Sequence, residues 1–270
     1  MQGRLSPPVG GTVQAFPAGH WADEFPAAEA AGLYCIEWIY DVRAEAENPI
    51  CTDEGVARFN ELKARHRIAV ESICADRFMP EPLLKGSADE LRERRAKLLW
   101  LLARATELGV HRVVLPFVDA SKIEDNAEIR RLVALLREVL VEAGPAAPEI
   151  HLETSLPPAR FATLMQEIDH PRVKVNYDSG NSSSLGYDFD EEFAAYGPHI
   201  GSVHIKDRVL GGGTKPIGEG DADFPKLVRK INRIGFGGPF ILQVARGETG
   251  REIDWAIRNR RIVESWFAPS

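Results

Sequence analysis

Cysteine is scarce in this sequence, and its few copies do not fit a disulfide framework. The 270 residues contain three cysteines, Cys35, Cys51 and Cys74, which are odd in number and irregularly spaced. Small secreted domains that depend on disulfides are much richer in cysteine and usually contain an even number. The scarcity therefore excludes a disulfide-stapled secreted domain and favours a reducing compartment.

Long hydrophobic runs and an excess of basic residues are also absent. No apolar run approaches the ~20 residues of a membrane-spanning helix, and the first residues, MQGRLSPP, lack the charged-then-apolar pattern of a signal peptide. Lys and Arg total 33 against 40 Asp and Glu, a formal net charge of -7, and no basic stripe offsets this balance. We therefore expect a cytoplasmic protein with no membrane partner and no nucleic-acid partner.

Short strand-like runs alternate with longer helical patterns along the whole chain. Apolar residues at helical spacing lie between these runs, and Asp223 followed by Pro225 predicts the start of a helix. Eight such strand-helix units, each near the ~30 residues of a βαβ repeat, predict a (β/α)8 TIM barrel, an α/β fold, with residues 1–270 as a single domain. The predicted strands are Gln2–Leu5, Leu33–Ile39, Ile68–Cys74, Arg112–Phe117, Glu149–Thr154, Arg172–Tyr177, Gly201–Ile205 and Phe240–Val244.

A doubly wound open sheet is the alternative for an alternating pattern of this kind. Such a sheet normally has a glycine-rich phosphate turn after its first strand. Here Gly10 and Gly11 come too late and lack the G-x-G-x-x-G spacing. The sequence therefore favours the barrel.

Polar residues recur on one face of the last four predicted strands. A parallel strand that is buried on both faces should be almost wholly apolar, yet these strands alternate polar and apolar residues. The polar residues closest to the C-terminal ends of these strands are Glu153, Asp178, His204 and Gln243. Because barrel active sites lie at this end of the strands, we expect the four side chains to converge there.

The four side chains together have the chemistry of a metal site. Burying polar and ionisable groups is unfavourable unless they satisfy one another or bind a metal. Two carboxylates, an imidazole and an amide oxygen suit one divalent ion, Mn2+, Mg2+, Co2+ or Zn2+, better than a thiolate site would. For any one residue alone, an ordinary hydrogen-bonded polar residue at a strand end is the simpler interpretation.

Four motifs resemble those of a known family. They are His-Leu-Glu at 151–153, Asn-Tyr-Asp-Ser-Gly-Asn at 176–181, Val-His-Ile-Lys-Asp at 203–207 and Gly-Glu-Gly-Asp-Ala-Asp-Phe at 218–224. Together they look like the xylose isomerase-like sugar isomerase and epimerase barrels. The resemblance covers essentially the whole chain, although its sharp motifs lie within 149–246. It implies a small-molecule sugar or sugar phosphate as substrate, and it leaves a homo-oligomer open.

The resemblance also implies a ligand set for the ion. The family binds one divalent ion with a Glu, an Asp, a His and a second Glu, and the first three correspond to Glu153, Asp178 and His204. Gln243 stands where the second Glu would be. A glutamine oxygen can still ligate a hard cation, but an amide cannot accept a proton at neutral pH. The family's pair of glutamate acid/base groups is therefore incomplete here.

Candidate proton-transfer residues follow from the chemistry of sugars. Removing a proton next to a carbonyl needs a base and a cation that stabilises the enediolate oxygen, and Glu153 is the predicted base. Lys206, on the same strand face as His204, is predicted to be catalytic as a second acid/base group. A lysine that pairs with a substrate oxygen or a carboxylate is an equal alternative. Glu37, in the second predicted strand, is predicted to bind substrate.

Three further residues are predicted to contact the substrate. Asn181 lies just after Asp178, and Arg208 lies in the glycine-rich basic loop 206–215 that follows the seventh predicted strand. Arg246 follows the eighth. Barrel phosphate sites often use the loops after strands seven and eight, so a phosphorylated or acidic sugar fits these cations. A mobile loop with solvated charges is the alternative.

Several functions are compatible with these residues. The leading hypothesis is a metal-dependent isomerase or epimerase of a sugar or sugar phosphate. The missing second glutamate raises a dehydratase of a keto-sugar or keto-inositol as an alternative. An apurinic-endonuclease-like hydrolase and a non-catalytic binding barrel are further alternatives, and the acidic net charge disfavours the hydrolase.

Overall fold

A computed structural model of the protein describes residues 1–268, so the last two residues of the predicted domain lie outside the described part. Within it, seven parallel strands form one sheet in the order β1-β2-β3-β4-β5-β6-β9, and β7 pairs with β8 in a separate hairpin. The strands are β1 Cys35–Ile39, β2 Ala69–Cys74, β3 Arg112–Phe117, β4 Glu149–Thr154, β5 Val173–Asp178, β6 Ile200–Ile205, β7 Asp207–Arg208, β8 Thr214–Lys215 and β9 Phe240–Leu242. This nearly closed parallel barrel confirms the predicted α/β barrel class.

Helices connect successive strands of the sheet and cover its outer face. They are α1 Glu24–Ala30, α2 Asp53–His66, α3 Ala88–Glu107, α4 Asn126–Ala143, α5 Pro158–Ile168, α6 Ser179–Leu185, α7 Phe189–Tyr196, α8 Phe224–Arg233 and α9 Glu252–Phe267. Side chains cap several of their N-termini, and the Asp223 carboxylate accepts a hydrogen bond from the Lys226 amide at the start of α8, as predicted.

The prediction of eight strands is wrong at the first one. Instead of a strand over Gln2–Leu5, only Gln2 forms a parallel bridge, to Glu37. The chain still passes between the last strand and the first, because the Gln2 amide donates to the Leu242 carbonyl at 3.3 Å. Gly3 has φ +53°, which ends the extended conformation after one residue. The segment therefore closes the barrel without forming a regular strand.

The apolar core lies between the sheet and its helices. Trp38 of β1 lies at the centre of an aromatic group, with edge-to-face contacts to Phe16 at 5.8 Å and to Phe59 at 4.7 Å between ring centroids. Residues that face the helices are fully buried on most strands. Among the described residues, no helix is both long and apolar enough to cross a membrane. The expected cytoplasmic location stays a prediction.

Candidate active site

The C-terminal ends of three neighbouring strands bring two acids and an imidazole together. Glu153 is near the end of β4, Asp178 ends β5, and His204 lies on β6, where its backbone is paired with that of Asp178. All three side chains are buried, and one potential ligand atom from each lies within 4.8 Å of the others. The convergence expected from strand alternation therefore occurs.

This group of residues fits a divalent ion. Ligands ~2.0–2.3 Å from one ion lie roughly 3–4.5 Å from one another, close to the observed span. The Asp178 Oδ2 atom is buried and has no hydrogen-bond partner among the described residues. The Lys206 ammonium lies 3.6 Å from this oxygen, beyond hydrogen-bond distance, so a directly bound cation would satisfy it better. The donor set and the unpartnered oxygen together make this a candidate metal site.

Gln243 reaches the same end of the barrel and contacts Lys206. The Lys206 Nζ atom lies 3.3 Å from Gln243 Oε1 and 3.6 Å from Asp178 Oδ2, and Gln243 is buried. The aliphatic part of Lys206 packs on Gly180, where an added Cβ would lie 2.6 Å from Lys206 Cγ. Gly180 therefore leaves room for the lysine. In this arrangement the ammonium pairs with an amide oxygen and a carboxylate.

Glu37 lies behind His204 and does not face the cavity. Its Oε1 atom lies 2.9 Å from His204 Nε2, its Oε2 atom accepts a hydrogen bond from Ser72, and its side chain is fully buried. Burial alone would lower the pKa of His204, but the charges of Glu37 and Glu153 outweigh it and raise that pKa to about 10. Burial raises the pKa of Glu37, but the imidazolium outweighs it and lowers that pKa below its usual range. Glu37 therefore pairs with a candidate ligand, and a metal ion bound at Nδ1 of His204 would replace the proton on that nitrogen. The predicted contact of Glu37 with a substrate stays a prediction.

A chain of hydrogen bonds runs through the barrel interior to Glu153. Glu149 Oε2 lies 2.9 Å from His151 Nε2, and His151 Nδ1 lies 2.7 Å from the Ser202 hydroxyl. The Ser202 hydroxyl donates to Asn176 Oδ1, and the Asn176 amide donates to Glu153 Oε2 at 2.8 Å. Because each member is held by the next, the Glu153 carboxylate has a defined orientation.

Asn181 holds the other oxygen of Glu153, and Arg208 holds Asn181 in turn. The Asn181 side-chain amide donates to Glu153 Oε1 at 2.5 Å, and its own oxygen accepts from Arg208 Nη1 at 2.9 Å. The backbone amide of Asn181 also donates to Asp178 Oδ1, which caps α6. Two of the four predicted substrate-binding residues therefore lie on the side of the site that holds the predicted base.

The glycine-rich loop after β6 is folded around a buried carboxylate. Asp207 accepts hydrogen bonds from the backbone amides of Gly218, Gly220 and Ala222. Arg208 also donates to the Gly212 carbonyl from Nε and Nη2. These contacts account structurally for the Lys-Asp and Gly-Glu-Gly motifs. A phosphate site in this loop stays a prediction.

Arg246 has a different environment from the one predicted for it. Its guanidinium donates to the backbone carbonyls of Gly3, Ser6 and Val13 at 2.6–3.0 Å. These bonds attach the N-terminal segment to the end of β9. Arg246 is also not among the residues that line the cavity beside Glu153. Its predicted contact with substrate stays a prediction.

A cavity of about 280 Å³ opens beside the converged side chains. Its lining includes Glu153, Asn181, Lys206, Arg208 and Gln243. It also includes Gln14, Cys74 and Asp76, which the sequence analysis did not identify. Asp76 lies two residues beyond β2, so the rule that barrel sites use the C-terminal ends of strands was a signal that could have found it.

A second cavity, of about 330 Å³, lies at the opposite end of the barrel. Apolar residues at the beginnings of β1 and β9 line it together with α9, among them Leu33, Phe240 and Phe267. None of the predicted site residues borders it. The polar cavity at the C-terminal ends is therefore the candidate active site.

Comparisons with known proteins agree with this architecture. A family profile described as xylose isomerase-like TIM barrel matches residues 25–262. The L-ribulose-5-phosphate 3-epimerase UlaE of Escherichia coli O157:H7 is 26% identical over 251 residues, which cover 88% of this chain and 87% of that protein.

Two solved structures share the fold. One is an L-ribulose 3-epimerase with a TM-score of 0.77 at 14% identity, and the match covers 98% of this chain and 93% of that one. The other is the IOLI protein with a bound zinc atom, with a TM-score of 0.77 at 19% identity and coverage of 93% and 95%. Because the profile spans most of the chain and the four motifs lie within it, the chain belongs to the xylose isomerase-like TIM barrel family.

Proposed function

We propose that the protein is a divalent-metal-dependent epimerase or isomerase of a ketose or ketose phosphate, with Glu153 as the base. The convergence of Glu153, Asp178 and His204 beside a cavity of about 280 Å³ is the observation that carries the proposal. The relatives named as L-ribulose-5-phosphate 3-epimerases support a sugar phosphate as substrate. The relative from Escherichia coli and the solved L-ribulose 3-epimerase are both named as enzymes that act on sugars.

The metal would be held by Glu153, Asp178 and His204, with Gln243 as a fourth ligand through its amide oxygen. When bound, a divalent ion stabilises the negative charge that develops on a substrate oxygen during proton removal. The proposed ion is one of Mn2+, Mg2+, Co2+ or Zn2+. The zinc atom in the structure of the IOLI protein supports a divalent ion on this fold.

Glu153 would remove the proton from the carbon next to the substrate carbonyl. Hydrogen bonds from Asn176 and Asn181 orient its two oxygens, which restricts the carboxylate to one direction of attack. Lys206 would donate a proton or a hydrogen bond to a substrate oxygen, because its ammonium lines the cavity between Gln243 and Asp178. Glu37 would act as a positioning residue that orients His204.

Arg208 would bind an oxygen of the substrate from the side of the loop that follows β6. It lines the cavity and is oriented by Asn181 and by the Gly212 carbonyl. A guanidinium suits a phosphate or carboxylate oxygen because its charge is permanent and its donors are fixed in a plane. This contact would favour a phosphorylated substrate over the plain sugar.

Solvent deuterium exchange tests the proposed function directly. The protein is stripped with EDTA, reloaded with each of the four ions, and incubated in D2O with L-ribulose 5-phosphate and with L-ribulose. We expect deuterium at the carbon next to the carbonyl only in the presence of an ion. Glu153→Gln should lower the exchange by at least about 100-fold, because it removes the base.

A matched variant separates the loss of the base from the loss of any glutamate. Glu167 is exposed in the last turn of α5 and does not line the cavity, so Glu167→Gln should exchange as the wild type does. Exchange that is absent with every ion and both sugars in the wild type contradicts the proposed function.

Gln243 favours a dehydratase as the second candidate, because the site lacks the family's second glutamate. Dehydration needs an acid for the leaving hydroxyl and does not need a base on the opposite face. In the same incubations, a dehydratase would consume a keto-sugar or keto-inositol and form a product with enone-like absorbance. An epimerase would change no absorbance.

A further inference from the structure

One buried carboxyl in the cavity has no role in the function proposed above. Asp76 follows β2 at the C-terminal end of the barrel and begins the short helical turn Asp76–Phe78. It is 5% exposed, yet it lines the same cavity as Glu153, Lys206 and Gln243. Burying an acid beside a substrate-sized cavity is unfavourable for stability, and buried ionisable groups in such cavities are candidates for a functional role.

The proposed reaction needs a second proton-transfer group if it inverts a carbon. A single base can remove a proton and return it to the same face, but inversion needs a donor that approaches from another direction. Gln243 cannot supply the proton, because an amide does not ionise near neutral pH. The donor must therefore come from another ionisable group on the cavity wall.

The other ionisable groups on the wall are poorly suited to this step. The Arg208 guanidinium already donates to Asn181 and to the Gly212 carbonyl. Burial raises the pKa of the Cys74 thiol well above its usual value, and the thiol lies 3.1 Å from an Asp76 oxygen, to which it donates. Lys206 already has a role at a substrate oxygen in the proposed function, and Asp119 is exposed at the rim. Asp76 is the remaining group.

The surroundings of Asp76 suit a carboxyl that exchanges its proton. The Gln14 amide donates to Asp76 Oδ2 at 2.6 Å, which fixes the side chain. Burial raises the pKa of Asp76 to about 6, the hydrogen bonds from Gln14 and Cys74 oppose this rise, and the charges of Glu153 and Glu37 add to it. Both protonation states are therefore accessible near neutral pH, as a general acid requires.

We propose that Asp76 is the second proton-transfer residue, which protonates the carbon from which Glu153 has removed a proton. This proposal rests on the proposed function and selects inversion from its alternatives. β3 lies between β2 and β4 in the sheet, so Asp76 and Glu153 reach the same cavity from two strands that are not neighbours.

The step is balanced without any further reactant. Glu153 takes the proton as the C–H bond breaks, and the electron pair enters the enediolate. The Asp76 O–H bond then breaks as a new C–H bond forms on the other face of the carbon, and the carbonyl is restored. Glu153 returns its proton to solvent, and Asp76 takes one from solvent.

Asp76→Asn separates this role from a general loss of activity. With Mn2+-loaded protein and L-ribulose 5-phosphate in D2O, Glu153 should still exchange the hydrogen of the recovered substrate, within about threefold of the wild type. Formation of the inverted sugar should fall by at least about 100-fold. Asp169→Asn, an exposed position just after α5 and outside the cavity lining, should change neither rate.

A second pair of variants keeps the proposal testable if Asp76→Asn does not fold. Asp76→Glu keeps an ionisable group and should retain measurable inversion, whereas Asp76→Gln, of equal size, should retain only exchange. Thermal unfolding shows which variants are folded. Inversion at the wild-type rate in Asp76→Asn or Asp76→Gln overturns the proposal, and so does a parallel loss of exchange and inversion in a folded variant. Absence of exchange in the wild type instead overturns the proposed function, and this proposal with it.

Discussion

Glu37 and His204 form a close pair in the barrel interior. Both side chains are fully buried, and their closest atoms are 2.9 Å apart. A carboxylate on the far nitrogen of a ligating histidine fixes the orientation of the ring and increases its basicity. At the scale of single residues, the affinity for the ion should therefore depend on a side chain that does not touch the ion.

Glu37→Gln should weaken the binding of Mn2+ by about 10–100-fold, the usual effect of removing such a partner. The proposed ion carries two charges and the competing proton carries one, so losing the negative charge harms the ion more. Calorimetric titration of EDTA-stripped protein measures the change. Glu29→Gln is the matched control, because Glu29 pairs with His66 at 2.7 Å while 57% of its side chain is exposed. Equal affinity in wild type and Glu37→Gln would contradict the assignment.

The convergence of Glu153, Asp178 and His204 could be predicted from strand alternation, because parallel strands end at the same edge of the sheet. The environment of Glu37 could not be predicted in this way. The pairing of β1 with β2 shifts register between Ile36 and Glu37, and strand alternation does not reveal such an irregularity. Contacts across the barrel depend on register, which one sequence leaves open.

At the scale of elements, the N-terminal segment takes the place of the eighth strand. The Glu37 amide donates to the Met1 carbonyl on one side, and the Gln2 amide donates to the Leu242 carbonyl on the other. The prediction of a regular strand over Gln2–Leu5 was wrong, because a positive φ at Gly3 interrupts the hydrogen bonding of a β-ladder. Its position between the last and first strands agrees with the predicted topology.

Arg246 is the side chain that attaches this segment to β9. Three hydrogen bonds from a charged donor to backbone carbonyls should contribute roughly 2–4 kcal/mol after solvation is considered. We expect Arg246→Met to lower the free energy of unfolding by about that amount in urea titrations. Arg258→Met, which removes an exposed arginine stacked on Trp255, should change it by less than about 1 kcal/mol.

The same experiment separates the two roles of Arg246. Unchanged stability together with a higher KM for a sugar phosphate would favour the predicted substrate contact over the structural one. Lower stability with an unchanged KM would identify Arg246 as a closing residue of the barrel.

At the scale of the whole molecule, the residues that stabilise the fold and the residues of the candidate site lie in different layers. Apolar side chains fill the layer between sheet and helices, whereas polar and charged side chains occupy the C-terminal end of the interior. Enclosing charged groups opposes folding, so active sites commonly reduce the stability of a protein. Asp76 is such a buried acid, and the effect of its charge on the free energy of unfolding can be measured.

The stability of the molecule should therefore depend on pH through Asp76. The folded pKa of about 6 is above the ordinary value of 3.8, so the unfolded chain releases this proton first as pH rises. Ionised Asp76 disfavours the folded state by about 3 kcal/mol above pH 6, and this penalty disappears below pH 4. Relative to wild type, Asp76→Asn should thus gain about 3 kcal/mol in unfolding free energy between pH 4 and pH 7.

Urea titrations in EDTA at several pH values between 4 and 7 measure this difference without any contribution from bound ions. The comparison of two proteins at each pH cancels the titration of groups that do not interact with Asp76, so the slope belongs to this carboxyl and its interaction with Glu153 and Glu37. A flat difference for Asp76→Asn would mean that Asp76 ionises as readily in the folded protein as in the unfolded chain. Burial would then not raise the pKa of Asp76, and the carboxyl would carry no proton to donate at neutral pH.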